Sequence, residues 1–117
     1  MIAPKEAFAE SNPHFTPGDL VRHRKYGYRG VVVAFDLNCK ASESWYQSNQ
    51  SQPEREQPWY HVLVDGAGHT TYAAQTSLEA DDSGQCIMHP WVDTFFESFD
   101  DGHYIRNDEP WPYSPPT

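Results

Sequence analysis

The residues able to do chemistry in this chain are six histidines, two cysteines and 17 carboxylates. Cys39, His61, His69, Cys86 and His89 carry the atoms that bind zinc. Their spacing matches no C-x-x-C, H-x-x-x-H or H-E-x-x-H pattern, so no metal site is expected. His61 alternates with apolar neighbours and reads as a partly buried, hydrogen-bonded side chain. Asp36 and Asp65 could meet at strand ends. Asp81-Asp82 and Asp100-Asp101 are adjacent pairs of the kind that solvate a loop. There is no G-x-S-x-G elbow, no P-loop and no dinucleotide fingerprint, and neither cysteine has a recognisable catalytic context. A self-contained enzyme is therefore the least favoured reading, and no cofactor is expected.

Binding chemistry is better represented. Four of the eight basic residues, Arg22, Arg24, Lys25 and Arg29, fall within residues 22–29. His23, Tyr26 and Tyr28 are interleaved with them. Such a ridge suits phosphate or an acidic peptide, because arginine beside tyrosine favours base stacking and peptide contact alike. Trp45 and Tyr46 lie in a polar segment where large rings are costly without a use, and Trp45, Tyr60 and His61 complete the candidate partner-binding set. The bland reading is a solvated hairpin, with Arg22 and Arg24 paired locally to Asp19 or Asp36.

The rest of the chain opposes a polyanion ligand. Net charge is −9, and from Asp65 onward there are ten acids against one base, Arg106. DNA-binding domains draw most of their affinity from phosphate contacts. Any DNA binding through the ridge is expected to be weak and strongly salt-dependent.

The ridge must be held by strands. Pro17-Gly18-Asp19 is a turn that launches a strand over residues 19–23. Lys25-Tyr26-Gly27 reverses the chain, with Gly27 free to take positive φ. Residues 28–36 form a second strand, whose Val31-Val32-Val33 run predicts cover on both faces. Gly30 predicts a bulge or bend within it. Residues 37–57 are a long polar insertion with one helical turn near residues 42–47, capped by Ser42. A third strand spans residues 59–65. Gly66-Ala67-Gly68 makes a hairpin loop and residues 70–74 return. Pro90 opens a short amphipathic helix, with Trp91, Phe95, Phe96 and Phe99 on one face, that ends at Asp100-Asp101-Gly102. His103-Tyr104-Ile105 adds an edge strand.

At 117 residues, this is one domain with a modest, aromatic-rich core. Residues 1–14 read as a flexible arm, residues 15–109 as the domain and residues 110–117 as an extended Pro/Trp-rich tail. No apolar run approaches the length of a membrane span, and no signal peptide is apparent. The expectation is a cytoplasmic protein with free thiols and no membrane contact.

Three blocks carry a resemblance. The first is Gly18-x-x-Val21-Arg22-His23-Arg24-x-Tyr26-Gly27-Tyr28-Arg29-Gly30-Val31-Val32. The second is residues 57–65, then Thr71-Tyr72-Ala73-Ala74 and Leu78. The third is His89-Pro90 with Phe95-Phe96 and Phe99. In order and spacing they resemble the YccV-like family, the module named for hemimethylated DNA binding and found in the heat-shock protein HspQ. The resemblance implies a mostly β fold, a small SH3-like β-barrel. It also implies a non-enzymatic adaptor or specificity factor in regulated proteolysis, with an ATP-dependent protease or its substrate as partner, or alternatively a DNA-binding protein. The acidic balance favours the protein partner. The long insertion and the tail look like features of modules appended to larger proteins.

Overall fold

The computed structural model describes residues 11–117, so the expected arm falls largely outside the described residues. The chain is mostly β. Strands β1 (Leu20–His23), β2 (Arg29–Asp36), β3 (Trp59–Val64), β4 (Thr70–Ala74) and β5 (Leu78–Ala80) form one antiparallel sheet in the order β4-β3-β2-β1-β5. A single 3-10 turn, Gln75–Ser77, links β4 to β5. These two strands are the sheet's edges, and no pairing between them closes it into a barrel.

The valine run is buried on both faces, as its continuity requires. Val31 and Val33 pack with Leu20, Leu63, Ile87 and Tyr104 on one side. Val32 packs with Val21, Tyr60, Val62 and Leu78 on the other. Gly30 is not the bulge. It pairs in register with Val21 and Val64, and the irregularity comes at Val33. Gly30 is needed because a Cβ there would lie 2.4 Å from Val62 Cγ1 and 2.5 Å from the Leu63 carbonyl oxygen.

The C-terminal region departs from the expected helix. Helix α2 is one turn, Val92–Phe95, and Phe96 already begins β6 (Phe96–Asp100). This strand pairs with β7 (His103–Arg106) as a separate hairpin. Asp101 and Gly102 both take positive φ, 51° and 84°, which is what a two-residue hairpin loop of right-handed twist demands. Phe95 and Phe96 are both buried because the chain changes from helix to strand between them. The hairpin covers the first core layer through Phe96 and Tyr104.

The insertion forms a lid over a third apolar cluster. Helix α1 (Glu43–Ser48) starts where expected, with Ser42 Oγ accepting from the Trp45 amide at 3.1 Å. Trp45 and Tyr46 pack on the cluster of Cys39, Ala41, Trp59, Tyr72 and Ala74. Arg55 stitches the segment together. Its guanidinium lies over the Tyr46 ring at 4.8 Å and donates to the Ala41 carbonyl at 2.6 Å. The tail lies across the body rather than away from it. Trp111 packs between His61 and Phe95, at ring distances of 5.5 and 5.2 Å, and Tyr113 stacks on Trp91 at 4.9 Å. The Pro116 carbonyl accepts from the Ser42 amide at 3.0 Å. Cys39 is buried, Cys86 is exposed, and both are free thiols. Among the described residues, no helix is long and apolar enough to cross a membrane.

Candidate functional site, an aromatic groove beside the basic turn

The turn between β1 and β2 is built around one histidine. The His23 carbonyl accepts from the Gly27 amide, and the His23 amide donates to the Tyr28 carbonyl, both at 2.9 Å. Gly27, at φ 78°, supplies the left-handed step that closes the loop. Inside it, His23 Nδ1 accepts from the amides of Lys25 and Tyr26 at 3.2 and 3.1 Å. Backbone amides only donate, so the ring is neutral with its proton on Nε2. Burial, then the charge of Lys25, holds its pKa below the ordinary histidine value. The ring stacks on Tyr26 at 4.6 Å and leans on Tyr28 at 5.1 Å.

The arginines of the ridge are committed elsewhere. Arg29 is only 16% exposed in its side chain and pairs with Asp81 at 2.7 Å and Asp65 at 3.0 Å. It also donates to Ser83 Oγ and to the Gln85 carbonyl. Burial works against ionisation of Asp81, but its bonds from Arg29 and Ser83 outweigh that and hold its carboxyl below the usual range. Arg22 reaches the same carboxylate at 3.3 Å, and Arg24 pairs with Glu79 at 3.3 Å. The local partners are therefore Asp65, Glu79 and Asp81 rather than Asp19 or Asp36. Asp19 instead accepts from the Thr16 amide, and Asp36 from the Tyr72 hydroxyl. Lys25 lies over its neighbour, with Nζ 5.5 Å from the centre of the Tyr26 ring.

Two of the expected site residues lie inside the fold. Tyr60 is fully buried and donates to Gln75 Oε1 at 2.5 Å. His61 is buried against Tyr72 and Trp111. Its burial lowers its pKa, although Asp36, 3.6 Å from Nε2, pulls the other way. Burial, with Asp36, pushes the Tyr72 hydroxyl far above the usual tyrosine range, so it remains a donor.

The remaining site residues converge. His23, Tyr26 and Tyr28 form one wall of a groove of about 300 Å³, and Trp45 and Tyr46 of the insertion form the other. Strand β4 is the floor, with Tyr28 and Thr71 joined by a 2.7 Å hydroxyl pair. The C-terminal helix does not face the insertion across this groove. The basic turn takes that place, because α2 is a single turn packed on the opposite core layer. Sequence reading missed Trp59, Thr71, Tyr72 and Pro116 as lining residues. Alternation on β4 sends Thr71 and Tyr72 to opposite faces, so it would have assigned only one of them to a single groove. Nothing in the sequence signals the return of Pro116.

Among the described residues, no three His, Cys, Asp or Glu side chains gather as a metal-holding group. The groove has walls suited to binding and no paired acid, base or nucleophile suited to turnover.

The family model described as hemimethylated DNA-binding protein YccV like matches residues 13–103. The chain belongs to the YccV-like family. Both groove walls and β4 lie within the YccV-like match, whereas Trp111 and Pro116 lie beyond it. The curated relatives include F-box only protein 21 of Homo sapiens, Pongo abelii and Mus musculus, each 37% identical over 98 residues. The alignment covers 81% of this YccV-like chain and 15–16% of those relatives, so the chain spans about a sixth of their length.

Proposed function

We propose that this chain is a non-enzymatic binding module, an adaptor or specificity factor in regulated proteolysis that acts through protein–protein contacts. The observation that carries the proposal is the contrast between two neighbouring surfaces. The groove is aromatic and lacks charged lining residues, while the arginines beside it are already paired with acids. An uncharged aromatic groove suits a peptide segment better than a phosphate backbone. The F-box relatives support the same direction, towards ubiquitin-mediated proteolysis. In architecture we read the β1–β4 meander, with β5 returning through the 3-10 link to pair with β1, as an SH3-like barrel left open between β4 and β5.

The second reading is DNA binding through the turn. The family description favours it, and Arg24 and Lys25 are exposed at the loop. A comparison of two variants decides between the readings. Trp45→Ala alters the groove, and the double change Arg24→Ser with Lys25→Ser alters the ridge. Each is scored by crosslinked partner capture and by a DNA shift assay at two salt concentrations. The adaptor reading expects partner capture to depend on Trp45 and to survive the ridge change. Capture indifferent to Trp45, together with DNA binding lost on the ridge change, overturns it in favour of DNA.

A further inference from the structure

The groove's free hydrogen-bonding groups name a ligand class. Three polar hydrogens on groove-lining residues, His23 Nε2–H, Tyr26 Oη–H and Trp45 Nε1–H, have no acceptor among the described residues. Six of the sixteen lining residues are aromatic, and none is Asp, Glu, Lys or Arg in a chain of net charge −9. The lining thus offers these donors and flat rings beside the neutral polar groups of Asn49, Ser51, Thr70 and Ser77, and carries no charged side chain. A ligand that matches it is rich in carbonyl acceptors, poor in N–H donors and able to lay apolar rings on aromatic faces. A proline-rich segment in the polyproline II conformation has those properties, with its backbone carbonyls turned outward and unpaired.

The alternative for an extended peptide is strand addition to the β4 edge. The Gln75 amide donates to the Pro58 carbonyl, and the Val64 amide to the His69 carbonyl. That register turns the backbone of Thr71 and Ala73 towards β3 and leaves Thr70, Tyr72 and Ala74 facing outward. Tyr72 and Ala74 are buried beneath the insertion, so the edge accessible to a new strand is shortened to its beginning. The chain itself already supplies a proline at the groove. Pro116, from the run Ser114-Pro115-Pro116, lines it together with Pro53, and the Pro116 carbonyl takes the Ser42 amide at 3.0 Å.

We infer that the groove between the His23–Tyr28 turn and helix α1 binds proline-rich segments of a partner protein in the polyproline II conformation. The inference rests on the adaptor reading and specifies its ligand.

The test is a nuclear magnetic resonance titration of the full chain with a proline oligopeptide and with a threonine–valine oligopeptide of equal length. The proline peptide should saturably shift the Trp45 indole resonance and the amides of Tyr26 and Thr71, and the threonine–valine peptide should bind more weakly. Tyr26→Phe keeps its ring, Trp45→Phe keeps a smaller aromatic ring in place of the indole, and each removes one donor. Each should weaken proline binding about fivefold, the equivalent of one hydrogen bond. Tyr26 is 55% exposed, so its variant reports on binding without loss of fold. Absence of saturable shifts, shifts centred outside the groove, unaltered affinity in both phenylalanine variants, or tighter binding of the threonine–valine peptide would each overturn the inference. If proline peptides fail while Trp45→Ala still abolishes partner capture, the ligand class falls and the adaptor reading stands.

Discussion

Arg29 and Arg24 look alike in the sequence, five residues apart on one basic run, yet their surroundings give them different work. Arg29 is held by two carboxylates, a hydroxyl and a carbonyl, and Asp81 beneath it is 3% exposed in its side chain. Removing one partner of such a cluster strands the other charge. Arg29→Ser should cost about 3 kcal/mol in chemical denaturation. Arg24→Ser breaks an exposed ion pair and one bond to the Leu78 carbonyl and should cost less than about 1 kcal/mol. Histidine protonation belongs to the same scale. His23 and His89 each accept a backbone amide on Nδ1, from Tyr26 and from Trp91, and burial lowers the pKa of both. His61 is lowered by burial as well. The unfolded chain therefore binds protons at about pH 6.5 while the folded chain does not. Stability should be full above that pH and fall as pH drops towards the folded values. His23→Asn, whose Oδ1 can replace the Nδ1 acceptor without titrating, should flatten the loss measured as a denaturation midpoint against pH.

Among the elements, those whose sequence pattern is local were legible. The turn at Gly27, the four strands β1 to β4 and the Ser42 cap each follow from residues within a few positions of one another. Strand β5 was not legible, because Leu78-Glu79-Ala80 has no alternation long enough to declare a strand and forms only by pairing with β1. Strand β6 was concealed by a coincidence of period. Trp91, Phe95 and Phe99 fall on a helical face, while Phe96 and Phe99 serve a strand of a hairpin set by Asp101-Gly102. Gly30 was noticed for the wrong cause. Its missing Cβ admits Val62 and the Leu63 carbonyl, so Gly30→Ala should cost about 2 kcal/mol or more through overpacking against backbone that cannot yield. A change below about 0.5 kcal/mol would show that β2 and β3 separate easily there. Trp45 stands between a surface contact and a core ring. It is half-buried, edge-on to Trp59 at 6.3 Å and to Tyr72 at 6.0 Å, and its indole nitrogen has no partner among the described residues. Trp45→Ala should cost about 2 kcal/mol, below a full core truncation, and should reduce partner capture as well. Loss of stability with capture intact would make the ring a lid rather than a contact.

Charge is decided at the scale of the whole molecule. Counting basic residues within a short window makes the turn look cationic, but counting ignores what long-range pairing brings alongside. Asp65, Glu79 and Asp81 are separated from the turn by more than 30 residues of sequence, and the sheet delivers all three to its arginines. This is why the candidate site was legible as a place and not as a chemistry: the turn and the insertion do meet, but through their aromatic residues. The consequence for nucleic acid is quantitative. Each phosphate neutralised contributes about −0.9 to the log–log dependence of affinity on salt. With Arg22 and Arg29 tied to Asp81, Arg24 and Lys25 are the exposed cations of the turn, so duplex DNA should give a slope no steeper than about −2. Fluorescence anisotropy with a hemimethylated and an unmethylated duplex, over a salt series, measures it. A slope near −8 on either duplex would mean that the acids release their arginines on binding or that several copies assemble on the DNA, and the turn would then be the principal binding surface of this module.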